Sequence, residues 1–252
     1  MKKIFIKIFV VITYLGMIIV NFLANALPIN NRSTGEISDL YANLFTPAGL
    51  TFSIWGLIYL LLGVYIIYQF INKEKESLFA KINPLFILTS IANISWILAW
   101  HYDYIGLSVL IMAFLLFLLI KIADICRLEK FTIVEKFFVL APFSIYFGWI
   151  TVATIANITV FLVSLGWNGF GISDFIWTIL ILLVGALIGI LRALKDKNII
   201  YLSVFIWAYL GILLKHISSN GFDGQYPSII LTISLCLSLF LFFIIRIFNK
   251  NN

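Results

Sequence analysis

Eight stretches of this sequence are each apolar for long enough to cross a bilayer: residues 8–27, 49–71, 84–101, 104–125, 137–163, 175–194, 199–217 and 228–248. A hydrocarbon core about 30 Å thick needs roughly 20 such residues in a helix. A membrane barrel would instead need segments of about 10 residues alternating polar and apolar, and none of the eight alternates. In lipid the backbone must satisfy its own polar groups, so the pattern predicts an all-α, polytopic transmembrane helix bundle. Composition agrees. The 252 residues are 63% hydrophobic and 11% charged, with a mean hydropathy of +1.10, where soluble domains run nearer half apolar and a quarter charged.

The few charges carry the topology. Lys2, Lys3 and Lys7 precede the first span; Lys73, Lys75 and Lys81 follow the second; Lys121, Arg127, Lys130 and Lys136 surround the loop after the fourth. Arg192, Lys195 and Lys197 follow the sixth, and Arg246 and Lys250 end the chain. With eight spans, 15 basic residues fall on one side and only Arg32 and Lys215 on the other. Basic loops stay cytoplasmic, which predicts cytoplasmic N- and C-termini in a multi-pass protein of the cell (plasma) membrane. A missed or invented span would swap every later loop and destroy the split. The net charge of +6 is thus a topology signal, and no nucleic-acid partner is expected. The first span has a basic start and an Ala24-Asn25-Ala26 sequence, but its apolar run from Ile8 to Leu23 exceeds the 7–15 residues usual for a signal peptide. A retained helix is expected.

Between the first two spans, Pro28–Ala48 is the longest polar segment, and its second half, Ile37–Phe45, is expected as a short amphipathic helix lying on the bundle. No Asp, Glu, Lys or Arg lies near the centre of a span, whereas proton- and ion-coupled carriers usually bury such residues. Arg192 and Lys215 sit near span ends, where snorkelling is expected. Cys126 and Cys236 read as small apolar filler. His101 and His216, near Asp103 and Asp223, fit no zinc spacing, and no nucleophile motif of the G-x-S-x-G kind appears. No catalytic residue, no metal and no enzymatic activity are expected. Gly185 and Gly189 form a G-x-x-x-G that permits close helix packing, within the chain or in a homodimer.

The spans do hold aromatic and amide side chains at helical spacing. Trp55, Tyr59 and Gly63 repeat at i, i+4, i+8; so do Trp149, Ala153 and Asn157; Asn93 and Trp96 share a face that Trp100 extends. Such stripes fit a cavity for a flat, apolar ligand. They fit equally an interfacial aromatic belt with asparagines joining helices.

At these residues the chain resembles the TspO/MBR family, the tryptophan-rich sensory or translocator proteins. The matching segments are Thr46-Pro47-Ala48-Gly49 and Ser53-Ile54-Trp55 with Tyr59 and Gly63; Asn93-Ile94-Ser95-Trp96 followed by Leu98-Ala99-Trp100; and Pro142, Trp149, Ala153 and Asn157. Ala48 and Ser53 stand where the family has prolines, and the tryptophan before its proline pair is missing. The family has five helices. The resemblance covers about residues 1–165, leaving 166–252 as three further transmembrane helices. It implies a hydrophobic small-molecule ligand, a tetrapyrrole (porphyrin or haem) or a sterol-like molecule, held inside the five-helix core beneath the first loop. No obligatory cofactor is implied. Trp55, Tyr59, Asn93, Trp96, Trp149 and Ala153 would wall the pocket, with Asn157 closer to helix packing. A sensory or transport-linked role follows from the same resemblance. The alternative is a small-molecule transporter, against which stands the lack of paired halves or an internal repeat.

Overall fold

The computed structural model describes residues 2–27 and 29–251, and every regular element among them is helical. Eight helices are long and apolar enough to cross a membrane. In chain order the elements are α1 (Lys2–Ala26), the short α2 (Thr34–Leu40), α3 (Ile54–Ile71) entered through a 3-10 turn (Gly49–Ser53), α4 (Glu76–His101) and α5 (Ile105–Arg127). They continue with α6 (Ile133–Ser164), α7 (Asp174–Asp196), α8 (Ile199–Ile217) and α9 (Pro227–Asn251).

Two groups form. Helices α1, α4, α5, α6 and α3 close a ring in that order, and α2 caps one end of it. The remaining helices pack on one another, with α8 against both α6 and α9. The seam between the groups is close and polar. A Cβ on Gly148 of α6 would lie 2.9 Å from the Tyr201 carbonyl of α8. Asn198 Nδ2 donates to Ser144 Oγ at 2.7 Å, and Tyr201 Oη to Thr151 Oγ1 at 3.2 Å. Gly185 and Gly189 turn inward, toward the Tyr209 hydroxyl and the Phe205 ring of α8. Their close-packing face is therefore occupied within the chain.

Ion pairs gather the basic loops at one end of the bundle. Lys7 pairs with Glu76, Lys75 with Glu135 at 3.7 Å and Lys81 with Glu129 at 3.9 Å. Arg192 is engaged in ion pairs at this end. Its side chain bridges Asp124 at 2.9 Å and Asp196 at 2.6 Å, joining α5 to α7. At the opposite end Arg32 meets Asp103 at 3.4 Å and Lys215 meets Asp39 at 3.5 Å. This second end is the lid end.

Three boundaries differ from the hydropathy reading. α4 begins at Glu76, not near residue 84, because Asn83 is satisfied inside the bundle by Tyr65 and Gln69 and so does not stop the helix. α6 begins at Ile133 on a Thr132–Glu135 capping box. The wide turn at Lys136–Leu140 precedes Pro142, which has no N–H to donate backward. The lid helix is Thr34–Leu40, not Ile37–Phe45. Ser33 and Glu36 form a capping box that starts it early. Asn43 Oδ1 then accepts from the Phe45 and Thr46 amides, which holds the following chain in a turn. Pro28, the first residue of that segment, lies outside the described residues.

Candidate functional site

The aromatic stripes of α3, α4 and α6 converge inside the ring, beneath α2. Trp55 sits at the centre. Its ring stacks on Tyr59 (5.5 Å, 21°) and Trp96 (6.3 Å, 30°) and meets Trp149 edge-on at 6.2 Å. Trp96 in turn stacks on Trp100 at 5.7 Å. Helical spacing alone explains the first part of this geometry: residues four apart lie one above the other on a helix. The second part comes from ring packing, which brings three helices to one point.

Two spaces adjoin this cluster. One is a chamber of about 50 Å³ under the lid, walled by Trp96, Trp100, Trp149, Ala153 and Asn157 from the helices and by Thr34 and Pro47 from the lid. The other is a cleft of about 710 Å³ between α1 and α3, lined by Ile18, Asn21, Phe22, Gly56 and Tyr59. Thr34, Phe52 and Trp55 border both. Ligand sites usually measure about 300–1,000 Å³. The cleft is in that range and the chamber far below it, because the aromatic side chains fill the chamber by stacking on one another.

The seven sequence-selected residues take different places. Trp55 borders both spaces; Tyr59 faces the cleft; Trp96, Trp149, Ala153 and Asn157 face the chamber. Asn93 borders neither. It accepts from Asn21 Nδ2 at 2.7 Å and donates to Tyr146 Oη at 3.3 Å, tying α1, α4 and α6 together. Asn157 is also a structural amide: its Oδ1 accepts from Trp96 Nε1 at 2.9 Å and its Nδ2 donates to Ser108 Oγ at 2.9 Å. Gly63 belongs to helix packing, since a Cβ there would lie 2.6 Å from Tyr14 Oη. Among the residues of this cluster, Trp149 Nε1 is buried with no hydrogen-bond partner, while the buried Tyr59 hydroxyl lies beside the Asn93 amide. An orphaned buried donor costs free energy, so Trp149 Nε1 has unused hydrogen-bonding capacity. Sequence reasoning did not select Phe52, Thr34 or Pro47. Their positions depend on how the lid folds back, which no local spacing encodes.

The histidines hold the lid. His101 is fully buried, with Nε2 3.1 Å from Thr34 Oγ1 and Nδ1 3.0 Å from the Ile29 carbonyl. His216 Nε2 lies 2.9 Å from the Leu44 carbonyl. Among the described residues no group of three or more His, Cys, Asp or Glu side chains is arranged to hold a metal.

Comparison with curated proteins and with solved structures gave no match. Comparison with protein families gave one described as TSPO-like protein, matched over residues 7–247. That span runs from the first helix through the last, so the three helices beyond the ring are included in it. By sequence along nearly its whole length, this chain is a member of the TSPO-like protein family.

Proposed function

We propose that this protein binds a flat, largely apolar small molecule, a tetrapyrrole such as a porphyrin or a sterol-like molecule, between the α1–α3 cleft and the aromatic chamber. One observation carries the reading: an apolar cleft of ligand size ends on Trp55, and next to it lies a buried hydrogen-bond donor without a partner, Trp149 Nε1. Trp55, Tyr59, Trp96 and Trp149 supply ring faces, and Ala153 leaves width between Trp149 and Asn157. Asn93 acts through the helices it ties. The work of the site is binding, not bond making, and a sensory or transport-linked role would use the same site. In this reading the basic end faces the cytoplasm and the lid faces outward from the plasma membrane.

The test is titration of the detergent-purified protein with protoporphyrin IX, followed by the porphyrin absorbance band, with an unrelated polytopic protein as control. Saturable binding in the micromolar range is expected for this protein alone. Trp149→Ala should weaken it about two- to tenfold, the loss of an aromatic contact worth about 0.5–1.5 kcal/mol beyond buried area. Control-like, unsaturable uptake would overturn the reading, and an unchanged affinity in Trp149→Ala would remove Trp149 from the site.

A further inference from the structure

Resting on that binding reading, we propose that the ligand reaches the site sideways from the lipid, through the α1–α3 cleft, while α8 and α4 together keep the lid shut against water.

The lid is fastened along both edges. On the α4 side, besides the His101 contacts, Trp100 Nε1 donates to the Thr34 carbonyl at 3.2 Å and Asn30 Nδ2 to the His101 carbonyl at 3.0 Å. On the α8 side the Ala48 amide donates to the Gly211 carbonyl at 3.0 Å. Trp207 Nε1 donates to the Thr51 carbonyl at 2.9 Å. His216 reaches the Leu44 carbonyl and Lys215 pairs with Asp39. A carbonyl in the interior of a helix is normally engaged by its own helix. That of Gly211 has a further amide on it because the glycine lets the 3-10 turn come close. Four residues of α8, spread over nearly three turns, thus grip the lid and the head of α3. Lifting the lid toward water would break this set together and strand buried donors.

The cleft offers no such resistance. α1 packs along α4 and meets α3 at the basic end, where Lys7 Nζ donates to the Gln69 carbonyl at 2.6 Å, and at Tyr14, whose hydroxyl donates to the Tyr59 carbonyl at 2.8 Å and faces Gly63. Lidward of that contact the two helices part. The mouth carries exposed Phe22 and Gly56, the roof is Thr34 and Gly35, and the back wall is Trp55. These mouth residues lie on helices long and apolar enough to cross a membrane, toward their lid ends, and in the proposed route the cleft opens there to lipid. Thr34, Phe52 and the half-buried Trp55 stand between the cleft and the chamber, and in the proposed route movement of the Trp55 ring joins the two spaces. The substrate class follows: a molecule dissolved in the membrane, not one collected from water.

The test uses the full chain in proteoliposomes, with protoporphyrin IX as probe. Gly56→Trp plugs the mouth; an ideal Cβ at Gly56 has no atom within 4 Å, so the fold has room for the ring, and a thermal melt checks this. The paired variant Asp39→Cys/Lys215→Cys, oxidised or bridged by a short bis-maleimide, locks the lid. Porphyrin association should slow about tenfold or more in Gly56→Trp, while the locked lid stays within about twofold of wild type. The reverse pattern, slow with the lid locked and normal in Gly56→Trp, overturns the proposal. A second readout needs no ligand: a nitroxide on Gly56→Cys should collide more often with membrane-dissolved oxygen than with a water-soluble nickel chelate. A preference for the chelate overturns the lipid-facing route even if porphyrin binds. Porphyrin that fails to bind wild type counts against the binding reading, and the nitroxide then decides the cleft on its own.

Discussion

Replacing Gly211 with alanine is expected to destabilise the protein by about 1–3 kcal/mol, the usual cost of forcing an extra carbon into a filled site. The sign is opposite to the ordinary one, since alanine in a helix interior is worth about 0.8–1.0 kcal/mol over glycine. The geometry decides between them. A Cβ at Gly211 would lie 2.0 Å from Thr51 Oγ1, 2.6 Å from its Cγ2 and 2.8 Å from its Cβ. Rotating the threonine moves its tips but not its Cβ, and Thr51 is 2% exposed, so the 3-10 turn or α8 has to move. Either movement pulls the Ala48 amide off the Gly211 carbonyl and the Thr51 carbonyl off Trp207. Thermal unfolding in detergent should show an apparent Tm lower by roughly 3–8 °C, with faster hydrogen exchange at Ala48. Gly56→Ala, where the new carbon meets nothing, is the matched control and should not fall. Equal melting of the two variants would mean that α8 does not bear on the lid.

That prediction rests on contacts the sequence does not announce. Gly211, Trp207 and His216 look like ordinary residues of an apolar span, and their partners lie some 160–170 positions earlier. The span count, by contrast, was fully legible, because helix length against bilayer thickness and the one-sided basic loops are separate constraints with one solution. The helix ends were less so. Hydropathy stops at Asn83 and Lys81, but the helix continues to Glu76, where a buried amide network and the Lys7 pair support it. In the site, the Trp55, Trp96 and Trp149 stripes could be read from spacing because each is one face of one helix. Which amide lines a space and which ties helices could not. Asn93 and Asn157 sit on equivalent stripes, and both turned out to be bonded across helices. Nor could spacing show that the rings would stack across the chamber and leave the larger space in a cleft beside it.

Asn157→Leu is expected to be the most disruptive conservative-volume change within the ring. Asn157 is 3% exposed and joins three helices: α4 through Trp96 Nε1, α5 through Ser108, and its own α6. The two partners do not suffer equally. Ser108 Oγ also donates to the Ile105 carbonyl at 2.7 Å and keeps that bond. Trp96 Nε1 has its bond to Asn157 and, if that is removed, is left buried. An unsatisfied buried donor costs about 1–3 kcal/mol. Interhelical hydrogen bonds in membranes average about 0.6 kcal/mol with a maximum near 1.7, so a loss of about 2 kcal/mol is the expected size. Ser108→Ala strands the other end of the bond, leaving the buried Asn157 Nδ2 without Ser108 Oγ, so it is expected to cost a similar amount. The diagnostic result is the double variant. With Trp96→Phe there is no indole N–H left to strand, so adding Asn157→Leu to Trp96→Phe should cost less than adding it to wild type, measured by thermal unfolding. Additive costs would mean that the Trp96–Asn157 bond contributes nothing beyond packing. A coupling would show that the ring forming one wall of the chamber is held in its orientation by an amide on the opposite helix.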